Sequence, residues 1–583
     1  MFRGASHTPG WLRMSILGYR PPLVLVGEVA MSKPNLLNRR EFLALSAAAT
    51  GIPASRQRRP NVLLIVADDL GYSDLGCYGG EIDTPILDSL AANGLRFTQF
   101  YTTARCCPSR ASILTGQYPH KVGVGHMVTD LGHPGYRGRL SENAATLAEV
   151  LKPAGYRTFI SGKWHVGTPD PTRHGFEQYF GTLISAQSFW EQAQYLRLPP
   201  GSPARRYDSG TFYGTDALTD YALDFLADAR TTPDQPWFLY LAFNAPHFPL
   251  QARPQEIARY RSRYTGGWDV LRQQRLARMK KLRLVAKATR LPPRSEYTNY
   301  GETVTAQNPA WDSLPEDRRA DLAMRMAIYA AMVDRMDQNI GRVTADLRAR
   351  GELDDTLILF LSDNGACAEW DPFGFDGSSS PDNILHRGDE LAHMGGRGSY
   401  HSMGSGWANA SNTPWRMYKH YSHEGGISAP CIAHWPAGFR RRNAIEPAPA
   451  HLIDLMPTMV EVAGAAYPER LGTREILPMA GTSLVPALRG ENLPERTLYF
   501  EHEGTRAVRE GRYKLTALPG EPWKLYDIAR DRTELDDLAD QQPQRVTALA
   551  QKWDQWAAAN QVTPLPESYR VNYLRRSGES RAD

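Results

Sequence analysis

Cysteine is scarce. Five residues in 583 (Cys77, Cys106, Cys107, Cys367 and Cys431) cannot staple a chain of this size, so a disulfide framework is excluded. Four of them read as small buried hydrophobes, and Cys106 is set apart by its context. Charge of one sign is not in excess either: 67 Lys and Arg against 63 Asp and Glu leave +4. A dedicated nucleic-acid binder shows a basic surplus or stripe, so that class is set aside. No uninterrupted apolar run approaches the ~20 residues that span a bilayer, which argues against an integral membrane protein. No internal repeat is visible. What remains is an ordinary folding composition, 42% apolar and 22% charged, over a length that calls for at least two folded units.

Residues 38–52 read NRREFLALSAAATGI. Paired Arg39 and Arg40 precede a short, weakly apolar, Ala-rich run, and small residues follow near Ala54. The stretch resembles a twin-arginine export signal, which is removed from the mature chain. The competing reading is a short N-terminal helix. Met31 sits where a start codon would, so residues 1–30 are a mis-assigned start or a long leader. The expectation is a leader over 1–57, passage through the twin-arginine machinery, and a periplasmic or secreted protein.

Beyond the leader, strand-like and helix-like stretches alternate. NVLLIV (61–66), 156–160, WFLYLAF (237–243) and TLILFL (356–361) are apolar runs of strand length. Residues 84–92 and 146–151 have helical spacing. This predicts an α/β fold: a large central, mostly parallel sheet flanked by helices. Arginine and lysine crowd residues 253–294, read as a solvated helical surface, with attraction of an anionic substrate as the functional alternative. Residues 377–413, rich in Gly, Ser and Asn, read as an ordered loop over a site. From about Pro478 the pattern shortens to four strands and a closing helix over Arg545–Ala558. The expected layout is a catalytic domain over 58–476 and a smaller α+β domain with a short antiparallel sheet over 477–583.

Ligands in open α/β sheets bind beyond the carboxyl ends of the strands. Four strands here end in reactive groups: Asp68 and Asp69, Asp363 and Asn364, His247, and Lys163 with His165. Asp and Asn are common strand-end caps, and for one pair alone that explanation would win. Two pairs together favour a metal, and hard oxygen donors suit Ca²⁺ or Mg²⁺, not zinc. The sequence Cys106-Cys107-Pro108-Ser109-Arg110 places Pro108 as a first helical residue and Cys106 at a helix N-terminus, where the dipole favours an anion. A cysteine-dependent phosphatase loop is excluded, because it needs Arg six residues after the nucleophile and Ser112 stands there.

CCPSRASILTG (106–116) matches the sulfatase signature C-x-P-S-R-x-x-x-L-T-G at every fixed position. PNVLLIVADDLGYSDLGCYGG, GYRTFISGKWHVG, NAPHFPL, LSDNG and YKHYSHEGGISAPCIAHWP are similar to the family's other blocks, in order, from about Pro60 to about Leu538. The chain resembles the formylglycine-dependent sulfatases, nearest their arylsulfatase branch, within the alkaline phosphatase superfamily. The resemblance implies an alkaline-phosphatase-like fold and a sulfuric ester hydrolase acting on a small-molecule or glycan sulfate ester. Cys106 would be oxidised by a formylglycine-generating maturation enzyme to an aldehyde held as its hydrate. Asp68, Asp69, Asp363 and Asn364 would bind one divalent cation, Ca²⁺ in preference to Mg²⁺, with the modified residue 106 as a further ligand. Arg110 would hold the hydrate, Lys163, His247 and Lys419 would contact the sulfate, and His165 would contact the second hydroxyl. One departure stands out: Ser428 occupies the Arg position of the family's G-x-R-x-P segment, which questions the pairing near Glu424. His502, in EHEG, is a weaker candidate to reach the pocket, against an ordinary hydrogen-bonded histidine. Trp190, Trp407 and Trp415 are candidate pocket walls. The rival functions are a phosphate mono- or diester hydrolase of the same superfamily and an inactive binder of sulfated glycans.

Overall fold

A run without polar interruption can form a strand only where both faces are covered, and Asn61–Ala67 does so as β1, buried at every position. Val62, Leu64 and Val66 enter one core while Leu63, Ile65 and Ala67 enter another, on the opposite face of the sheet. The computed structural model describes residues 59–564, apart from 186–187, 298–305, 370–371 and 378–382. The leader expected over 1–57, with its paired arginines, lies outside the described residues.

After β1 come β2 (Leu95–Tyr101), β3 (Arg157–Gly162), β4 (Gln178–Gly181), β5 (Leu196–Leu198) and β6 (Trp237–Ala242). The two-residue strands β7 (Glu296–Tyr297) and β8 (Ala306–Gln307) pair apart from the rest. The chain rejoins the main sheet through β9 (Thr356–Ser362), β10 (Ser428–His434), β11 (Ala444–Glu446) and β12 (Ala450–His451). The order across this ten-stranded sheet is β11-β2-β10-β9-β1-β6-β3-β4-β5, with β12 also on β2. Only β5 and β10 run against the others, so the sheet is mixed but mostly parallel. The adjacent strands β9, β1, β6 and β3 are mutually parallel, which brings their four carboxyl ends to one edge.

Helices cover both faces. Glu316–Ala349, 34 residues long, buries Met326, Met332 and Ile340 in the core that also holds Leu63 and Ile65. Cys106–Thr115 and Leu455–Ala463 lie in the other core, with Val62 and Leu64. Among the described residues no helix is long and apolar enough to cross a membrane.

Two expectations change. The basic stretch is only partly a solvated surface. Its helix Gly267–Lys281 buries Arg272 and Arg275, and Arg275 pairs with Asp74 at 2.6 Å and Glu81 at 2.8 Å. Cationic residues can enter a core when carboxylates meet them, and these two come from distant sequence. The Gly- and Ser-rich segment is not simply a loop either: Gly404–Ser411 is a buried helix.

A short hairpin, β13 (Arg470–Leu471) with β14 (Arg474–Glu475), precedes a four-stranded antiparallel sheet of β15 (Thr497–His502), β16 (Thr505–Glu510), β17 (Tyr513–Ala517) and β18 (Lys524–Asp527). The helix Pro543–Ala559 lays Leu549, Trp553 and Trp556 against Val508, Leu515 and Leu525 of that sheet. Leu498 and Phe500 of β15 pack with Tyr101 of β2, so the small sheet is anchored to the large one.

Candidate active site

The parallel strands end in chemistry. β1 runs into Asp68 and Asp69, β9 into Asp363 and Asn364, β3 into Lys163 and His165, and β6 into the turn that carries His247, all of them buried. Lys419 arrives from the loop before β10. That loop is pressed against the Asn364 loop: Gly365 donates its N–H to Gly426 O at 3.0 Å. A Cβ at Gly365 would stand 1.8 Å from Gly425 O, so only glycine permits the approach. Asp69 and His165 hold left-handed backbone, with φ of 67° and 53°. Such conformations are uncommon for residues other than glycine and gather at functional sites.

The side chains interlock. Lys163 Nζ donates to Asp68 Oδ2 at 2.6 Å, and Lys419 Nζ to Asp69 Oδ2 at 2.9 Å. Asn364 Nδ2 donates to Asp69 Oδ1 at 2.6 Å. Asp363 accepts from the Asp69 N–H at 3.2 Å and from Arg110 Nη2 at 2.9 Å. His247 Nε2 lies 3.4 Å from Asp69 Oδ2 and 3.5 Å from Lys419 Nζ. Two buried acceptors are left over: Asp68 Oδ1 and Asn364 Oδ1 make no hydrogen bond among the described residues. Hard oxygens with unused lone pairs, at the meeting point of Asp68, Asp69, Asp363 and Asn364, fit a divalent cation of the Ca²⁺ or Mg²⁺ kind.

Cys106 is the first residue of the helix Cys106–Thr115. Pro108, expected to open that helix, is its third residue instead. Nothing is lost by this, because the first intrahelical donor is the Ser109 N–H, to Arg105 O at 2.9 Å. The positive end of the helix dipole therefore falls on Cys106. Its Sγ is 3.5 Å from His165 Nδ1.

Electrostatics follow from this packing. A hydrogen bond from Cys107 holds the Cys106 thiol well below its ordinary range; burial acts upward, and Lys163 and His165 add to the downward pull of Cys107. Burial, helped by Lys163, pushes His165 down to about 4. Burial and the Asp68 charge push Asp363 well up, against the pull of Arg110. At Asp68 burial acts upward, but Lys163, His247 and Arg110 outweigh it and hold the carboxyl below its usual range. Burial disfavours charge on Lys419, yet Asp69, Cys367 and Glu369 keep it protonated well above the ordinary lysine range.

The site is larger than the sequence motifs. Glu369 sits 3.4 Å from Lys419, 3.0 Å from His420 and 3.8 Å from Arg105, and no motif marks it. Arg105 and His420 could have been found as the neighbours of Cys106 and Lys419. The tryptophans divide. Trp407 is wedged among Trp268 and Trp311 with its indole N–H on Leu322 O, so it is a core residue, while Trp415 packs on Tyr72 and borders a groove with Thr98 and Arg532 that none of the site residues lines. Trp190 is buried beside Tyr213. The gap at Ser428 is filled from the C-terminal segment. Arg532 donates to Glu424 Oε2 at 2.6 Å and to Ser428 Oγ at 2.6 Å.

Acid should weaken the fold. Burial is the main cause holding His165, His434 and His502 at about 4 and His451 at about 3. Unfolded, each would bind a proton from about pH 6.5 downward. Their folded pKa values are depressed, so the stability they favour is present above about 6.5 and is lost as pH falls toward 4. The thermal midpoint should be level at pH 7 to 8 and fall steadily from pH 6.5 to 4. A midpoint unchanged across that interval would contradict the assignment.

Comparison with known proteins identifies a family. The family model described as Sulfatase matches residues 60–465, and one described as N-sulphoglucosamine sulphohydrolase, C-terminal, matches residues 414–558. The chain is 33% identical over 554 residues to an uncharacterized sulfatase of Schizosaccharomyces pombe, covering 88% of this chain and 96% of that one. It is 34% identical over 455 residues to an arylsulfatase of Klebsiella aerogenes, covering 75% and 93%. Among solved structures, Ps i-CgsB in complex with k-i-k-neocarrahexaose superposes with a TM-score of 0.61 at 25% identity, covering 90% of this chain and 98% of that one.

Proposed function

The chain belongs to the sulfatase family of sulfuric ester hydrolases, and from that premise we propose an arylsulfatase-type enzyme that works through a formylglycine made from Cys106 and a divalent cation, Ca²⁺ in preference to Mg²⁺. The observation that carries this reading is the placement of Cys106. It stands at a helix N-terminus, 3.5 Å from a buried imidazole, at the carboxyl edge where Asp68 and Asn364 each leave one acceptor unpaired among the described residues. Asp68, Asp69, Asp363 and Asn364 would hold the cation, which supplies Lewis acidity toward a sulfate oxygen and a lowered pKa for a bound hydroxyl. The hydrated aldehyde brings two hydroxyls on one carbon, one to accept the sulfuryl group and one to expel it after losing a proton.

The remaining residues do work that their positions explain. A sulfate monoester carries one negative charge, and more develops on the bridging oxygen as the S–O bond breaks. Lys163 and Lys419, both buried and cationic, are preorganised to meet that charge. His247 donates its Nδ1–H to Phe248 O at 2.5 Å and presents Nε2 beside Lys419, from where, when that nitrogen is also protonated, it donates to the sulfate or the leaving oxygen. Arg110, one helical turn after residue 106, donates to the Lys163 carbonyl at 3.1 Å and to Asp363 at 2.9 Å, which ties the helix to two of the strand ends. His165 is neutral at pH 7, so its free nitrogen is available to take the proton from the second hydroxyl.

Natural substrates of this reading are sulfate esters of aryl alcohols or of saccharides; the structural neighbour bound to neocarrahexaose supports the saccharide side. It also includes a maturation enzyme that oxidises Cys106 and export through the twin-arginine route. Two measurements test it. Peptide mass spectrometry across residues 103–116 should find the aldehyde or its hydrate at position 106. Nitrophenyl sulfate should be hydrolysed faster than nitrophenyl phosphate, and the reverse order would favour the phosphohydrolase alternative. An unmodified Cys106 in an inactive mature protein would favour a binder of sulfated glycans.

His165→Gln separates the two halves of turnover. The first sulfuryl transfer should survive as a burst of one equivalent of nitrophenol. Steady-state kcat should fall about 10²–10⁴-fold, the usual range for a lost proton-transfer group. Loss of the burst together with kcat would assign His165 to the first step instead.

A further inference from the structure

The hairpin joining β15 to β16 reaches the site from the C-terminal segment. His502 and Thr505 face each other across the two-residue turn Glu503-Gly504, whose φ values are 52° and 82°. Paired positive φ is the turn that matches the twist of hairpin strands. Glu503 adopts it without being glycine, a strain that the surroundings must hold in place. The result is that His502 and Glu503 stand together against His126. His126 Nε2 is 2.8 Å from Glu503 Oε1, and His502 Nε2 is 3.5 Å from the same oxygen. One ligand atom from each of the three residues lies within 4.8 Å of the other two.

His502 is the odd member. A structural histidine here would be an ordinary hydrogen-bonded one. Instead His502 is fully buried, and neither ring nitrogen makes a hydrogen bond among the described residues. Buried polar groups are nearly always satisfied, so this imidazole calls for a partner. We propose that His126, His502 and Glu503 bind a second metal ion, a transition-metal dication best matched by Zn²⁺, at a site separate from the oxygen-lined cation site of the sulfate chemistry. Two imidazoles and one carboxylate form a zinc-type set with a fourth position open, unlike the hard-oxygen set of Asp68, Asp69, Asp363 and Asn364. With Zn–ligand bonds of about 2.0–2.1 Å, tetrahedral ligand atoms stand roughly 3.3 Å apart, and the separations of 2.8 and 3.5 Å bracket that value. Around the ligands, Glu503 is steadied by His420 Nδ1 at 2.8 Å and by Arg105 Nη1 at 3.3 Å, the outer contacts that orient a ligating carboxylate. An ion there would pin the hairpin tip to the segment that carries His126.

The test uses the full chain in saturating Ca²⁺, which occupies the oxygen site, titrated with Zn²⁺ or Co²⁺ alone. The wild type should bind one further equivalent of Zn²⁺, gain thermal stability on binding, and give with Co²⁺ the visible absorption of a four-coordinate nitrogen and oxygen site. His502→Ala and His126→Gln should each weaken Zn²⁺ binding at least about 100-fold. Absence of Zn²⁺ binding by the wild type in excess Ca²⁺ would overturn the proposal. So would binding that neither variant weakens. If His502→Ala fails to fold, His126→Gln and the wild-type Co²⁺ spectrum still decide.

Discussion

Offered nitrophenyl sulfate, a Cys106→Ser chain will release one equivalent of nitrophenol and then stop, with a sulfuryl group retained on the protein. Serine at the head of the helix Cys106–Thr115 keeps one hydroxyl where the hydrate would carry two. The cationic surroundings that favour attack are untouched: Lys163 remains on Asp68, Lys419 on Asp69 and Arg110 on Asp363. The first transfer should therefore proceed. What is missing is the geminal hydroxyl from which His165 would remove a proton, so the sulfate ester on the introduced serine oxygen has no internal route of release. Steady-state turnover should fall on the order of 10⁴-fold or more, as it does when a nucleophile is disabled. Mass spectrometry of the peptide 103–116 should show the added group in stoichiometric amount. Continued turnover, or an unmodified serine after the burst, would remove the two-hydroxyl logic from the proposal. The same variant differs from His165→Gln, in which the second hydroxyl is present and release is slow instead of blocked.

The legible parts of this protein are those with a period or a short motif. β1, β6 and β9 can be read because a strand buried on both faces must be apolar at every position, and the four C-terminal strands because turn residues punctuate them. Asp68, Asp69, Lys163, His165, His247, Asp363 and Asn364 can be read from the sequence as groups at strand ends, and the fold brings them to one edge. The hidden parts depend on partners far apart in sequence. Arg275 reads as solvated because Asp74 and Glu81, which receive it, are some 200 residues away in the chain. The buried helix Gly404–Ser411 is masked by a loop-like composition, its small residues serving close packing against Trp268. Glu369 carries no spacing signal, since its role comes only from meeting Arg105, Lys419 and His420 in space. Ser428 is visible as a departure from the family pattern, whereas Arg532, more than a hundred residues later, cannot be seen as its complement.

That complement yields the second large expected effect. Arg532→Ala should destabilise the folded chain by about 3–5 kcal/mol, the usual result of breaking a buried ion pair by removing one partner. Glu424 is fully buried, and Lys514 at 3.0 Å would remain on its Oε1. Its Oε2 would keep only the Tyr101 hydroxyl at 3.2 Å. Lys514 cannot turn fully to Glu424, because it also pairs with Glu534 at 2.8 Å. The guanidinium further lies 4.2 Å over the Trp415 ring, a contact that alanine also deletes. Catalysis should suffer less than stability, since Arg532 touches none of the residues around Cys106 and acts through the short helix Glu424–Ile427 that follows Lys419. Placing the cation where the family pattern has it, as Ser428→Arg in the Arg532→Ala background, should recover at least half of the loss, because the new side chain starts at the hydroxyl that Arg532 now contacts and enters the space it vacates. Denaturant unfolding of the three chains measures this directly. A double variant no more stable than Arg532→Ala would mean that Arg532 holds the C-terminal sheet for reasons unrelated to the missing arginine.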